Sequence, residues 1–372
     1  MNRSREVATA RRALILGGFL ILFTLPGAAG RVASGRGAGE ASPGPVAGPD
    51  GPDQVAGSAD STSRTAPLAL LEGEERGEGV LVVTHGGVGS PPEVADGPEG
   101  AAREALSVLA GGGSGLDGAV AGVRVMEDDP RFNAGTGANI RLDGRTIQMD
   151  ASVMTGEGRY AAVAVIERVR NPILVAREVL NTPHLLLAGE GATRFAHRLG
   201  FEDVVPVSEP ARAKYERLKE RLLSGETSGG YREFDWRKFW NFPGEIPEEL
   251  REGDTVGAVA RDGERGFAAA LSTGGTSFTL YGRVGDVPVF GAGLYAGPVG
   301  AVACTGHGEI IIRQALARST YERMVMGATP RQAVEASVRG FPETSSVGLI
   351  AVSNGGWAVA ANRPMAYGMA GE

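Results

Sequence analysis

The stretch Gly253-Asp254-Thr255-Val256-Gly257-Ala258-Val259-Ala260-Arg261 limits the possible folds more than any other in the chain. Val256 to Ala260 alternates small and β-branched residues, and Asp262-Gly263 supplies turn chemistry. Gly266-Phe267-Ala268-Ala269-Ala270-Leu271 then returns as a second strand, running into Ser272-Thr273-Gly274-Gly275. The pattern predicts a buried hairpin with Thr255 at the first position of one strand and Thr273 near it on the other. Read plainly, Thr255 is a hydroxyl at a strand entry. Read with the Asp254–Thr255 peptide bond cut, it acquires a free α-amine with a reference pKa of about 7.7–8.0. That amine lies within reach of its own Oγ and can serve as its base, so no histidine is required.

The 372 residues allow one large domain or two. Glycine is abundant (58) and aromatics are few (6%), which favours tight turns and close backbone approaches over a bulky aromatic core. A net charge of −7 disfavours nucleic acid or an anionic membrane as partner. The single cysteine, Cys304, excludes an intrachain disulfide. Four histidines without paired spacing argue against a histidine-rich metal site.

Residues 1–30 read as an export signal. Arg3, Arg5, Arg11 and Arg12 form a basic region, Ala13–Leu25 an apolar run short for a membrane span, and Pro26–Gly30 a small-residue cleavage region. Export then ends in the periplasm or the medium. Residues 31–78, rich in Gly, Ala, Pro, Ser and acids, read as a disordered linker. Order is expected from Gly79, with Val80–Thr84 a buried strand and His85-Gly86-Gly87-Val88-Gly89 its turn. Helices are expected over Glu99–Ala110, Leu116–Met126, Pro172–Leu180, Gly189–Leu199, Pro210–Leu223 and Gly308–Met326, with another after Thr329-Pro330. Asp143-Gly144 signals a hairpin joining Ala138–Leu142 to Arg145–Met149. Tyr160–Ile166, Val299–Cys304, Val347–Val352 and Trp357–Ala361 complete the strands, and Ser224–Glu252 reads as a long surface excursion. Antiparallel hairpins and paired helices predict sheets packed face to face with helices outside.

Several chemical signatures are absent or misplaced. There is no G-x-S-x-G after the His85-Gly86-Gly87 run and no phosphate-binding P-loop. Gly113, Gly115 and Gly118 match a dinucleotide spacing but follow no strand. Nothing near Cys304 in sequence would lower its pKa, so it reads as a small core residue. Gly282-Arg283-Val284-Gly285-Asp286 places a guanidinium and a carboxylate in a glycine-bent loop, suited either to a surface ion pair or to the head of a free α-amino acid. Thr305-Gly306-His307-Gly308 ends a strand and opens a helix, as a simple cap or as donors for an oxyanion.

Taken with Phe132-Asn133-Ala134-Gly135-Thr136-Gly137, Asp150-Ala151-Ser152-Val153-Met154, Asn171-Pro172-Ile173, Gly189-Glu190-Gly191-Ala192, Gly291-Ala292-Gly293 and Thr305-Gly306-His307-Gly308-Glu309, the chain from about residue 79 resembles the N-terminal-nucleophile asparaginases. That family includes plant-type asparaginases, isoaspartyl peptidases and glycosylasparaginases. The resemblance implies an α+β fold, a four-layer αββα sandwich of the N-terminal-nucleophile hydrolase type. It implies self-cleavage before Thr255 into an α chain (79–254 of the ordered part) and a β chain (255–372), with αβ units pairing into a dimer.

By the same resemblance Thr255 is the nucleophile, Thr273 its partner, and Thr305 and Gly306 the oxyanion hole. Arg283 and Asp286 grip the substrate's α-carboxylate and α-amine, and Gly308 lines the site. Asn133 approaches the nucleophile from the α chain. The backbone at Met126, Glu127, Asp129, Phe132, Ala134 and Thr136 resembles a loop that holds a structural sodium ion. The implied reaction is acyl transfer on asparagine or β-aspartyl dipeptides, with no redox cofactor or catalytic metal.

Asp254 stands before the nucleophile as in glycosylasparaginases, whereas plant-type members usually carry Gly there. Cleavage of a sugar–asparagine amide is therefore the rival activity. An uncleaved homologue that only binds ligands is the rival without chemistry.

Overall fold

The computed structural model describes residues 66–74, 79–223, 239, 241–242, 255–263, 266–277 and 279–371. The export-signal reading of 1–30, Asp254, and most of 224–252 lie outside these residues. The described part falls within one compact unit, Thr62–Glu372.

The hairpin forms as its alternation predicts. β6 (Thr255–Arg261) and β7 (Phe267–Thr273) pair antiparallel, and their register sets Thr255 directly opposite Thr273. They lie in the middle of a seven-stranded sheet with β2 (Leu81–Val88), β3 (Met149–Thr155), β4 (Tyr160–Ile166), β5 (Leu186–Ala188) and β12 (Met365–Gly371). The order is β12-β2-β6-β7-β3-β4-β5. A five-stranded sheet has the order β1-β11-β10-β9-β8 and contains β1 (Leu70–Glu74), β8 (Leu294–Gly297), β9 (Gly300–Gly306), β10 (Val347–Ser353) and β11 (Gly356–Ala361).

Strand alternation sorts the side chains into separate cores. Val259, Phe267, Ala269 and Leu271 of the larger sheet pack with Ala301, Ala303, Ile350, Val352 and Val359 of the smaller one. The opposite face of the hairpin carries Val256, Ala258, Ala260, Ala268 and Ala270. These pack with residues of α1 (Asp96–Ala110), α2 (Gly115–Asp128) and α3 (Pro172–Val179). The outer face of the smaller sheet packs against α7 (Leu316–Val325) and α8 (Pro330–Arg339). Small residues on the hairpin allow the glycine-bearing α2 to lie close over it. α4 (Gly189–Arg198) and α5 (Glu209–Leu223) follow β5, and α6 (Gly308–Gln314) follows β9.

Several expectations need correction. The linker reading of 31–78 runs too far, because Leu70–Glu74 adds β1 to the edge of the smaller sheet, opposite Trp357–Ala361. Leu70 and Leu71 anchor opposite faces of that edge, and Ala66 is buried. The His85–Val88 segment is not a turn but the end of β2. The hairpin expected at 138–149 reduces to a turn in which Arg141 N–H donates to the Thr146 carbonyl (2.7 Å). There the Asp143 carboxylate takes up the Arg145 and Thr146 N–H groups. The long helix from Gly308 is broken at Ala315, whose φ of 43° is left-handed. Within the excursion, Phe242 is buried, and Asn241 exchanges hydrogen bonds with the Tyr281 backbone at 2.8 and 3.1 Å.

Leu271 is fully buried between the sheets two residues before Thr273. Leu271→Ala is expected to lower the unfolding free energy by about 2–5 kcal/mol, measured by urea denaturation. An unchanged midpoint would show that the inter-sheet core does not close there.

Candidate active site

At the head of the hairpin Thr255 Oγ1 and Thr273 Oγ1 stand 2.9 Å apart, both residues buried. Thr273 Oγ1 also accepts the Gly275 N–H at 2.9 Å, which fixes the orientation of its hydroxyl. The turn that carries Gly275 is clamped in turn. Asn133 Nδ2 and Asn139 Nδ2 donate to the Gly275 carbonyl at 2.9 and 2.6 Å, and Gly274 N–H donates to the Asn133 carbonyl at 2.9 Å. Asn133 Oδ1 accepts the Asn139 N–H at 2.9 Å. Asn133 is thus placed beside Thr273, the residue whose hydroxyl meets Thr255. Its side chain is consumed in holding the turn beside Thr273.

The backbone of Thr255 is bracketed by the end of β2. Gly87 has φ +97°, and a Cβ there would collide with the Thr255 carbonyl oxygen, so only glycine allows this approach. Gly87 is held at both ends. Its N–H donates to His85 Nδ1 at 3.2 Å, and its carbonyl accepts from Ser90 Oγ at 2.5 Å. Burial drives the His85 pKa down to about 3, so the ring is neutral. Since Nδ1 is the acceptor, the ring proton sits on Nε2, which has no partner among the described residues. Gly257, directly across from His85, leaves room for the ring, because a Cβ there would lie 2.6 Å from Nε2.

The next residue carries the contact to a third element. Val88 N–H donates to Thr305 Oγ1 at 3.3 Å, at the end of β9. Gly306 has φ +138°, and a Cβ there would strike the Ser346 carbonyl oxygen. Beyond it α6 opens at Gly308. A Cβ on Gly308 would lie 2.9 Å from both Arg283 Nη2 and Asp286 Oδ1. The missing side chain thus lets the Arg283 guanidinium and the Asp286 carboxyl both come up against the start of α6. Asp286 is buried, and its Oδ2 has no hydrogen-bond partner among the described residues. Desolvation raises its pKa to about 7 despite the opposing pull of Arg283.

The loop holding Arg283 and Asp286 rests on buried polar residues that the sequence reading did not single out as supports. Arg141 Nη1 donates to Thr279 Oγ1, and Nη2 to the Gln148 carbonyl at 3.1 Å. Gln148 Oε1 accepts the Gly282 N–H at 2.8 Å. Asp150 is fully buried in β3; its Oδ1 accepts the Val165 N–H at 2.8 Å and its Oδ2 the Gly285 N–H at 3.3 Å. The one available signal was a carboxylate entering an otherwise apolar strand.

The segment after α2 brings backbone carbonyls close against its glycines. A Cβ on Gly135 would collide with the Glu127 carbonyl oxygen, and one on Gly137 with that of Phe132, so carbonyls crowd the inside of this loop. The Asp129, Phe132 and Ala134 carbonyls each accept one N–H and retain a second lone pair. Among the described residues no group of three His, Cys, Asp or Glu side chains is placed to hold a metal. The Glu127 side chain points elsewhere. Its Oε1 accepts from Ser272 Oγ at 2.6 Å and from the Ile173 N–H at 2.9 Å, and burial raises its pKa to about 8.

Asp286 resists ionisation in the fold, with a pKa near 7 against an ordinary 3.8. Its stabilising contribution is whole below about pH 4 and is lost as pH rises through about 7. Between pH 5 and 8 the Asp286→Asn variant is expected to gain stability relative to the parent, on the order of a few kcal/mol. Urea unfolding at both pH values reads this directly, and an unchanged pH slope would mean that the carboxyl ionises normally.

Comparison with known proteins matches residues 80–371 to the protein family described as asparaginase. A plant-type L-asparaginase of Pyrococcus abyssi is 43% identical over 272 residues, covering 70% of this chain and 84% of that protein. An isoaspartyl peptidase/L-asparaginase of Danio rerio is 38% identical over 291 residues, covering 75% and 87%. An N(4)-(beta-N-acetylglucosaminyl)-L-asparaginase of Elizabethkingia miricola is 37% identical over 238 residues, covering 63% and 64%.

Proposed function

The chain belongs to the asparaginase family, and from that membership we propose that it is a self-cleaving threonine amidohydrolase of β-aspartyl dipeptides and L-asparagine. The observation that carries the reading is the buried Thr255–Thr273 hydroxyl pair at 2.9 Å at the head of β6. Scission of the Asp254–Thr255 bond makes Thr255 the first residue of a β chain. The two sheets and the helices packed on their outer faces support the reading of an αββα sandwich, here built from an α and a β chain.

The free α-amine of Thr255 takes the Oγ proton as Oγ attacks the substrate's side-chain carbonyl carbon. Thr273 holds that Oγ in place. Thr305 and the backbone at Gly306 stabilise the negative oxygen of the tetrahedral intermediate. The C–N bond breaks, the amine's proton passes to the departing nitrogen, and ammonia or an amino acid leaves. Water then attacks the Thr255 ester with the same amine as base, releasing aspartate and restoring the hydroxyl. The substrate's α-carboxylate lies on Arg283 and its α-ammonium on ionised Asp286, beside Gly308. Asn133 acts from behind Gly275 as a positioning residue.

The carbonyls of Met126, Glu127, Asp129, Phe132, Ala134 and Thr136 would hold a sodium ion as a structural brace, and no step of the reaction passes through it. The basic and apolar composition of residues 1–30 supports export to the periplasm or medium. The αβ units pair, and the exposed Leu185 and Leu186 beside and on edge strand β5 offer apolar surface for an interface.

Purified protein is expected to resolve on a denaturing gel into two fragments, the smaller beginning T-V-G-A by N-terminal sequencing. Thr255→Ala should remain one band and lose turnover by at least about 10³-fold. An active or cleaved variant would overturn the nucleophile assignment, and a single intact band from the parent would favour the non-catalytic reading. Among L-asparagine, β-Asp-Leu and GlcNAc-Asn, the first two are expected to be the better substrates. Dominant turnover of GlcNAc-Asn would reassign the enzyme to glycosylasparagine cleavage.

A further inference from the structure

Arg283 is held along its whole length. Its carbonyl accepts from Arg141 Nη2 at 3.4 Å, and the nearby Gly285 N–H is fixed by Asp150. The guanidinium folds back over Gly285, where a Cβ would lie 2.8 Å from Nη1. At its far end it meets Glu309, in the first turn of α6. Glu309 Oε1 accepts from Arg283 Nε at 3.0 Å and from Nη2 at 2.8 Å. The second carboxylate oxygen turns towards His307, with Nε2 3.6 Å away.

A guanidinium presents two edges that can fork a carboxylate, Nε–Nη2 and Nη1–Nη2. Glu309 occupies the first. The second stays available, since no described residue accepts from Nη1. Nη2 is also the guanidinium atom nearest Gly308, where a Cβ would lie 2.9 Å from it and from Asp286 Oδ1. Glu309 therefore leaves Nη1 and the second N–H of Nη2 for a ligand carboxylate.

We infer that Glu309 is a positioning residue: it grips the Nε edge of Arg283 so that the Nη1–Nη2 edge is presented, already oriented, to the substrate's α-carboxylate. This rests on the head-group assignment proposed above. An unheld arginine would surrender its rotamer freedom on each binding event, and the strut removes that loss beforehand. The pair differs from an ordinary surface bridge because the Arg283 side chain is only 15% exposed, although Glu309 is 51% exposed. Desolvation opposes ionisation of Glu309, but the Arg283 charge outweighs it and leaves the carboxyl below its ordinary range. The strut is therefore charged at neutral pH.

Asparagine and β-aspartyl dipeptides share the α-amino acid head and differ in the leaving group. A residue acting through Arg283 must therefore shift KM for both by one common factor. In the matured enzyme Glu309→Ala is expected to raise KM for L-asparagine and for β-Asp-Leu alike by about tenfold, with kcat within about twofold. Glu309→Gln, which keeps the reach and one acceptor oxygen, should recover most of the loss. Glu309→Asp, which keeps the charge and loses the reach, should be worse than Gln; this comparison stands even if the Ala variant fails to mature.

An unchanged or lowered KM in Glu309→Ala, unequal factors for the two substrates, or Asp outperforming Gln would each overturn the strut. Arg283→Ala serves as the control. If it leaves KM unchanged, the carboxylate assignment itself fails. If it raises KM while the Glu309 variants do not, only the strut fails.

Discussion

The structure depends on one register. Antiparallel pairing of β6 and β7 sets Thr255 opposite Thr273, and a slip of one residue would turn one hydroxyl to the other face of the sheet. Both faces of this hairpin are buried, one against the smaller sheet and one against α2, so a slip would also exchange Leu271 and Val259 for alanines in the inter-sheet core. Packing thus enforces the 2.9 Å hydroxyl contact indirectly. The hydroxyl pair lies where apolar packing holds both faces of the hairpin.

Around that contact, glycines determine how closely the other elements approach. Gly87 lets the end of β2 lie on the backbone of Thr255, and Gly257 makes room for the His85 ring that holds Gly87. Gly308 lets Arg283 and Asp286 both close on the start of α6. Each is a place where the absence of one carbon shapes the site. The polar groups that accompany them are costly to bury: Asp150, Asp286, Glu127 and Arg141 all lie out of water. Backbone partners offset part of that cost: Asp150 takes the Val165 and Gly285 N–H groups, Glu127 that of Ile173, and Arg141 donates to the Gln148 and Arg283 carbonyls. Asp286 Oδ2 remains without a described partner.

The hairpin, the apolar strands and most helices were legible because period-2 and period-3.6 patterns report burial directly. Other errors share a cause. Leu70–Glu74 looked like linker because a short edge strand draws its stability from a partner far along the chain, here Trp357–Ala361. The Asp143-Gly144 turn formed, but beyond the Arg141–Thr146 bond its flanks make no strands, and the Asn139, Arg141 and Gln148 side chains reach across to residues 275–283. Ala315 interrupts the Gly308 helix with a left-handed residue that no propensity scale would place there.

The amino-acid order alone determined that a threonine would stand at the entry of a buried strand, with a second threonine on the neighbouring strand. It also established that an arginine and an aspartate would share a glycine-bent loop. These are local facts of spacing and backbone freedom. Only the tertiary structure decided that Asn133 serves the 274–275 turn, that His85 holds Gly87 against Thr255, and that Glu309 takes one edge of Arg283. Those relations join residues remote in sequence, and their partners are chosen by how sheets and helices pack, which no local pattern records.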